Sequence, residues 1–338
     1  SSIYQSYVGI LERELVPAMG CTEPIAIAYC AATARAVLGA VPDRVLVEAS
    51  GNIIKNVKSV VVPNTDGRRG VAAAAAIGIL AGDERRGLEV LSSVSPEDKA
   101  RLGGYLDATV IELQPARSAL VLDIQVTVSR DGHQARVRAA NEHTNLVLIE
   151  KDGEILKQKA LDEEERQESD LSALTMEGIY DFARTAVIED VRPVLDRQIR
   201  YNTAISQEGL RENYGANIGK VLLRACGGDI RVRARAAAAA GSDARMNGCE
   251  LPVVINSGSG NQGMTASLPV IEYAKELGSS QEQLYRALLI SNLVTLHQKA
   301  GIGRLSAYCG AVCAGAGAGA GIAYLCDGGY EAIIHTVV

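Results

Sequence analysis

The sequence lacks the segments that mark membrane and secreted proteins. Its longest apolar stretch, Ala311 to Leu325, is mostly Ala and Gly and is too short to span a bilayer. Residues 1–15 are polar and amphipathic, without the apolar segment of a signal peptide. The seven cysteines are scattered over 338 residues and do not form a secreted disulfide framework. These absences predict a cytoplasmic protein with no membrane partner.

Aromatic residues, basic clusters and zinc motifs are also scarce. There is one Phe and no Trp, so the core has to be built from Ala, Val, Ile and Leu with close helix contacts. The net charge is −6 and no basic block exceeds two residues. Because binding to a phosphate backbone needs a basic face, nucleic acid is not expected as a partner. No C-x-x-C motif occurs, so a structural zinc site is not expected either.

Apolar periodicity predicts an α+β fold with the strands confined to one part of the chain. Residues 3–15 and 25–38 have the spacing of helices. From residue 44 to residue 160, β-branched runs alternate with the turn signals Asp131-Gly132 and Asp152-Gly153, which predicts a largely antiparallel sheet. The runs are 45–47, 60–62, 110–113, 120–128, 134–140 and 146–150.

Helices return beyond residue 171. They are predicted around residues 179–186 and 210–222, and a capping box at Ser280–Gln283 opens another. The acidic residues 161–170 are predicted to be a solvated linker. Residues 314–321 alternate Ala and Gly, and because Gly is a poor helix former this segment needs a packing reason. Either backbones approach closely there or a loop contacts a cofactor.

The segment Asn256–Gly263 has the composition of a ligand-binding loop. Its glycines let the backbone turn tightly, and its Ser and Asn side chains offer hydrogen-bond donors to a carboxylate or phosphate. It follows an apolar run and precedes a predicted helix, a common position for an anion site. It matches neither the Walker loop nor G-x-G-x-x-G. A flexible turn is the alternative.

Other polar positions each have a structural and a functional interpretation. Arg245 could pair with a substrate carboxylate or with Asp243. The cluster at residues 50–56 follows a predicted strand and could be only a turn. His143 is one of four histidines and lies between two predicted strands with polar neighbours. Cys21 is either an inert buried thiol or a metal ligand.

Cys309 and Cys313 are four residues apart, so they would share one face of a helix. Metal ligands can have this spacing, and so can residues of a buried packing face. The spacing alone favours neither.

Four segments in order resemble the L-cysteine desulfidase family, which is related to the α chain of iron–sulfur L-serine dehydratases. They are Glu14–Pro24, with its Gly-Cys-Thr-Glu-Pro motif, Ser206–Leu210, Ser242–Met246 and Asn256–Gly263. The resemblance runs from about residue 4 to the last residue, and its Cys-Thr-Glu-Pro and Ser-Gly-Ser-Gly-Asn-Gln-Gly motifs are specific.

The resemblance implies a [4Fe-4S] cluster held by three cysteines, with one iron open to substrate and no pyridoxal phosphate. Cys21 matches the cysteine of Gly-Cys-Thr-Glu-Pro, and Cys309 matches the one that follows Arg-Leu-Ser-Ala. The third cysteine of the family lies in an Ile-Cys-Asp-Gly stretch, expected beyond Val338. Because Cys21 would have to reach Cys309, residues 1–43 and 171–338 are predicted to form one helical, serine-dehydratase-α-like domain with an α+β domain, residues 44–160, inserted in it.

The implied reaction is β-elimination of sulfide from L-cysteine, which gives pyruvate, ammonia and hydrogen sulfide. The expected partners of the protein are a small amino-acid substrate, L-cysteine or L-serine, and a second copy of the chain in a homodimer. His143 is the first candidate for proton transfer, on chemical type. The other catalytic candidates are Glu23 and Lys55. The substrate-binding candidates are Thr22, Asn52, Asn56, Thr144, Asn145, Arg245, Ser257, Ser259, Asn261 and Gln262.

Three alternatives stay open. An iron–sulfur L-serine dehydratase would use the same layout with hydroxide as the leaving group. A pyridoxal-phosphate desulfhydrase would need a Schiff-base lysine and repeated βαβ units, which the helical C-terminal half disfavours. A non-catalytic amino-acid-binding module without a cluster is the third.

Overall fold

A computed structural model describes residues 2–161, 171–302 and 310–338. Most of the predicted linker and Cys309 lie outside these ranges. The chain forms two compact units. The helical unit comprises Ser1–Pro17, Glu163–Arg245 and Leu251–Val338, and the sheet unit comprises Ala18–Asp162 and Met246–Glu250.

The sheet unit confirms the α+β class. Its strands are β1 (Pro17–Met19), β2 (Arg44–Ala49), β3 (Val110–Pro115), β4 (Asp123–Arg130), β5 (His133–Ala140), β6 (Leu146–Lys151) and β7 (Glu154–Gln158). Its α-helices are α2 (Thr22–Leu38), α3 (Gly51–Val57), α4 (Gly70–Ala81) and α5 (Pro96–Ala108), with a 3₁₀ helix at Glu84–Glu89.

Six strands form one mixed sheet in the order β3-β2-β4-β5-β6-β7. The β2–β3 pair is parallel and the four other pairs are antiparallel. The predicted turns Asp131-Gly132 and Asp152-Gly153 join β4 to β5 and β6 to β7, and both residues of each turn have positive φ. That geometry matches the twist of the flanking strands, which is why Asp-Gly predicts a hairpin.

Helix α2 is buried on most of its surface because it packs against both the sheet and another helix. It contacts β4, β5 and α4. A Cβ on Gly78 of α4 would lie 2.3 Å from the carbonyl oxygen of Ala28, so the two backbones nearly touch. These contacts place α2 in the sheet unit, whereas the sequence prediction grouped residues 1–43 with the helical domain.

The helical unit contains α1 (Ser2–Glu14), α6 (Met176–Thr185), α7 (Ile188–Arg211), α8 (Ile218–Cys226), α9 (Ile230–Met246), α10 (Gly260–Glu276), α11 (Gln281–Ile302), α12 (Gly310–Leu325) and α13 (Tyr330–Val337), with β8 at Pro252–Val254. The predicted capping box is present: Gln283 N donates to Ser280 Oγ and Ser280 N to Gln283 Oε1. None of the described helices is long and apolar enough to cross a membrane.

The alternating Ala-Gly segment is part of α12, where it lets helices approach closely. A Cβ on Gly317 would lie 2.2 Å from Thr295 Oγ1 and 2.4 Å from Ser291 O of α11. A Cβ on Gly321 would lie 2.8 Å from Ala287 O. Helix packing therefore explains these glycines.

Two secondary-structure predictions were wrong. Val60–Val62 is not a strand but part of a loop with one bridge, from Val61 to Arg69, because buried packing alone accounts for its β-branched residues. Residues 210–222 are not one helix. The chain breaks between α7 and α8, where Asn217 has a φ of 53°.

Candidate functional site

The sheet unit brings four of the predicted site residues together at the N-terminus of α2. The Cys21 thiol donates to Glu23 Oε2 at 2.8 Å, and the Thr22 hydroxyl donates to the same oxygen at 3.2 Å. Asn56 Nδ2 donates to Glu23 Oε1 at 3.2 Å. A carboxylate in the first turn of a helix also faces the positive end of the helix dipole. Glu23 is thus held by three side-chain donors, one of which is a buried thiol.

Chain geometry explains why the motif takes this shape. Gly20 has a φ of 63°, and a Cβ there would lie 2.3 Å from Pro63 Cγ. Cys21 then has an extended backbone and caps α2, and Pro24 lies in the first turn, where no intrahelical donor is lost. A tight glycine turn therefore directs the thiol to the helix N-terminus.

Asn52 and Lys55 are on α3 with Asn56, but their side chains are exposed. The segment after β2 is a helix rather than a turn. Ser50 precedes this helix, and its buried hydroxyl donates to the Val121 carbonyl.

His143, Thr144 and Asn145 lie in the connection between β5 and β6. His143 is half-buried and Thr144 is exposed. The Asn145 amide donates to Ala140 O at 3.0 Å and accepts from Lys159 Nζ at 3.1 Å. Through these two hydrogen bonds, Asn145 stabilises the connection between β5 and β6.

In the helical unit, the Asn256–Gly263 segment is a tight turn followed by the first turn of α10. Asn256 N donates to Ser259 O and Ser259 N to Asn256 O, both at 3.1 Å. The two residues between them are left-handed, with φ of 51° at Ser257 and 76° at Gly258. The turn is ordered by these bonds, so it is not a flexible connection.

Arg245 lies against this turn. Its side chain is 3% exposed, and its Nη1 donates to Asn261 Oδ1 at 3.0 Å. A Cβ on Gly260 would lie 2.4 Å from Arg245 Nε, so glycine is needed for the guanidinium to approach the backbone. Asp243 accepts from Ile218 N at 2.7 Å and so bonds to the first residue of α8.

The end of α10 that carries this turn also contains a buried amide. Gln262 is 8% exposed, and a Cβ on Gly310 would lie 2.3 Å from its Cδ. Its Oε1 has no hydrogen-bond partner among the described residues. Ser259 caps α10 and accepts from Gln262 N.

Sequence reasoning missed the buried amides behind the turn, which are Gln198, Asn202 and Asn292, each 0% exposed. Asn202 accepts from Val254 N at 2.8 Å and donates to Ser267 Oγ at 2.9 Å. A signal was available for Asn292, since it interrupts the apolar run Leu288–Leu296. A polar side chain inside such a run has to find buried partners.

The described cysteines differ sharply in environment. Cys30 is 0% exposed, and burial raises the pKa of its thiol to about 12. Cys21 is also buried, yet its thiol bonds to a carboxylate. Cys313 is buried in α12 and Cys326 is exposed. Within residues 2–161, 171–302 and 310–338, no three His, Cys, Asp or Glu side chains are grouped to hold a metal ion.

A cluster ligand must be a thiolate, and Cys21 lies where a helix N-terminus favours negative charge. Its thiol proton is hydrogen-bonded to Glu23 Oε2, and the thiol has to lose that proton before it ligates a metal. Cys30 has neither feature. Of the two predicted ligands, Cys21 therefore fits, and Cys309 lies outside the described residues.

A model of the serine dehydratase alpha chain family matches residues 85–338, and the chain belongs to that family.

Several similar proteins are named UPF0597 protein. One from Desulfitobacterium hafniense (strain Y51) is 58% identical over 336 residues, 99% of this chain and 78% of the relative. One from Lachnoclostridium phytofermentans is 51% identical over 336 residues, 99% of this chain and 81% of the relative. One from Treponema denticola is 46% identical over 344 residues, 100% of this chain and 80% of the relative.

Proposed function

We propose that this protein is a lyase that eliminates sulfide from L-cysteine at a [4Fe-4S] cluster. The single observation that carries the proposal is the hydrogen bond from the Cys21 thiol to the Glu23 carboxylate at the start of α2. It sets a soft metal ligand and a proton acceptor side by side. Membership of the serine dehydratase alpha chain family supports elimination from an amino acid.

The proposed reaction balances with one water. A base removes the α-proton, the Cβ–S bond breaks with its electron pair on sulfur, and a Cα=Cβ double bond forms. The aminoacrylate gains a proton at Cβ, and the resulting imine takes up water to give pyruvate and ammonia. The sulfur leaves as hydrogen sulfide.

In the sheet unit, Cys21 would be one of the cysteine ligands of the cluster. When bound, the cluster's open iron supplies a Lewis acid that suits a sulfur leaving group. Glu23 accepts the proton that the Cys21 thiol has to lose before it ligates iron. Thr22 and Asn56 hold the carboxylate in place for that transfer.

In the helical unit, Arg245 and the turn bind the amino acid. The guanidinium is buried against the turn, and a buried cation recognises a carboxylate through charge-assisted hydrogen bonds. Gln262 has an amide oxygen with no partner among the described residues, and it can accept from a substrate donor. His143, in the sheet unit, is the proposed proton-transfer residue on chemical type alone.

A second candidate, dehydration of L-serine, is favoured by the family whose model matches residues 85–338. It would use the same residues with hydroxide as the leaving group. The two reactions differ in the leaving atom. Thiolate-ligated iron prefers sulfur to the harder oxygen, and this preference favours L-cysteine as the substrate.

One preparation tests both reactions. The full-length protein is reconstituted with iron and sulfide without oxygen and supplied with L-cysteine or L-serine, and sulfide and pyruvate are measured. We expect absorption that bleaches on reduction, and a higher kcat/KM for L-cysteine. Pyruvate from L-serine alone would replace the first proposal by the second. An aldimine trapped by borohydride would contradict both.

A further inference from the structure

The turn that precedes α10 is held in a conformation that Ser257 would not adopt unaided. A non-glycine residue in the left-handed region is strained and persists where its surroundings impose it. Ser257 is 5% exposed, and its hydroxyl donates to Asn256 Oδ1 at 2.9 Å. The direction of this hydrogen bond determines what Ser257 can offer to a ligand.

A chain of buried hydrogen bonds sets that direction. Asn292 Nδ2 donates to the Leu288 carbonyl at 2.9 Å, and a backbone carbonyl can only accept. The Asn292 Oδ1 therefore faces the other way, where it accepts from Asn256 Nδ2 at 3.1 Å. Asn256 Nδ2 also donates to the Asn292 carbonyl at 3.3 Å. The Leu288 carbonyl thus fixes the orientation of the Asn292 amide, and the Asn292 carbonyl fixes that of the Asn256 amide.

Gln198 completes the chain. Its Nε2 donates to Asn292 Oδ1 at 2.9 Å, and its Oε1 accepts from Asn292 Nδ2 at 2.8 Å. The Asn292 amide thus uses both of its donors and both of its acceptor positions, so a flipped amide would lose every bond. Since Gln198, Asn256 and Asn292 are all 0% exposed, water cannot replace those bonds.

With the Asn256 amide oriented in this way, its Oδ1 faces Ser257 and accepts the hydrogen bond from the Ser257 hydroxyl. The Ser257 oxygen then has only lone pairs left, so it can accept a hydrogen bond but cannot donate one. We propose that Asn292 is a positioning residue that makes Ser257 an acceptor for the α-ammonium group of the amino acid. This inference rests on the proposed function, and it differs from the sequence prediction that this serine donates to a carboxylate.

Three variants and two ligands test the inference. Ser257→Ala removes the acceptor, and Asn292→Leu removes the amide at similar volume. Thr295→Val is the matched control, because Thr295 is buried one turn further along α11 and its hydroxyl donates to Ser291 O. L-cysteine carries the ammonium group, and 3-mercaptopropionate keeps the thiol and carboxylate without it. Calorimetry measures the Kd of both ligands for the full-length protein.

We expect Ser257→Ala and Asn292→Leu each to weaken L-cysteine binding about tenfold and to leave 3-mercaptopropionate binding unchanged. The double variant should be no weaker than Ser257→Ala, since both changes act on one contact. Thr295→Val should alter thermal stability and neither Kd.

The inference is overturned if both ligands weaken equally, if the two variants are additive, or if Thr295→Val behaves like Asn292→Leu. A wild-type protein that binds neither ligand also overturns it. A wild-type protein that shows the expected binding pattern but releases no sulfide contradicts the proposed function alone.

Discussion

Adding one methyl group at two nearby glycines of α12 should have different effects on stability. Gly315 is exposed, with nothing within 4 Å of a Cβ placed there. Gly315→Ala should therefore gain about 1 kcal/mol from helix propensity. Gly317→Ala has the same propensity gain, but its Cβ would lie 2.2 Å from Thr295 Oγ1 and 2.4 Å from the Ser291 carbonyl.

The clash at Gly317 has no cheap relief because one of its two partners is backbone. Overpacking of a core costs about 1–3 kcal/mol, and the propensity gain cancels in the difference between the two variants. Gly317→Ala should thus be less stable than Gly315→Ala by about 1–3 kcal/mol.

Thermal unfolding followed by circular dichroism measures this difference. A change of 1 kcal/mol shifts the Tm of a domain of 150–250 residues by about 2–4 °C, so Gly317→Ala should melt at least about 2 °C below Gly315→Ala. Equal Tm values for Gly315→Ala and Gly317→Ala would refute the view that the alternating glycines exist for close helix packing.

Three further predictions concern the candidate site and its neighbours. Cys21→Ser should lose most of the iron bound after reconstitution, while Cys30→Ser, on the same helix but in the core, should keep it; equal iron content in both would remove Cys21 from the site. Arg245→Lys keeps the charge but loses the planar fork of donors, so kcat/KM for L-cysteine should fall about tenfold, and an unchanged kcat/KM would make Arg245 structural. Burial raises the pKa of the Cys30 thiol to about 12 from an ordinary 9.0, so above pH 9 the unfolded chain ionises first and stability falls as the pH rises towards 12. Cys30→Ala should flatten this loss in urea midpoints measured from pH 8 to pH 11, and an identical slope in wild type and Cys30→Ala would contradict it.

Features that depend on neighbouring residues were predictable from the sequence. The Asp-Gly turns and the Ser280 capping box are local, because the backbone angles and hydrogen bonds involved lie within four residues. The α+β class followed from the same periodicities. For the candidate site, the pattern Gly-Cys-Thr-Glu-Pro indicated a thiol and a carboxylate close together, and a glycine turn before the helix brings them into contact.

Features that depend on residues distant in sequence needed the tertiary structure. No local pattern indicates that Asn56 bonds to Glu23, 33 residues away, or that Asn292 bonds to Asn256, 36 residues away. Val60–Val62 has strand composition but lies in a loop, because burial satisfies its apolar side chains without a partner strand. The sequence by itself determined most of the helices, the hairpins and the types of reactive group. Only the tertiary structure decided which polar groups share hydrogen bonds, since a buried donor takes whichever acceptor the packing of distant helices and strands places within reach.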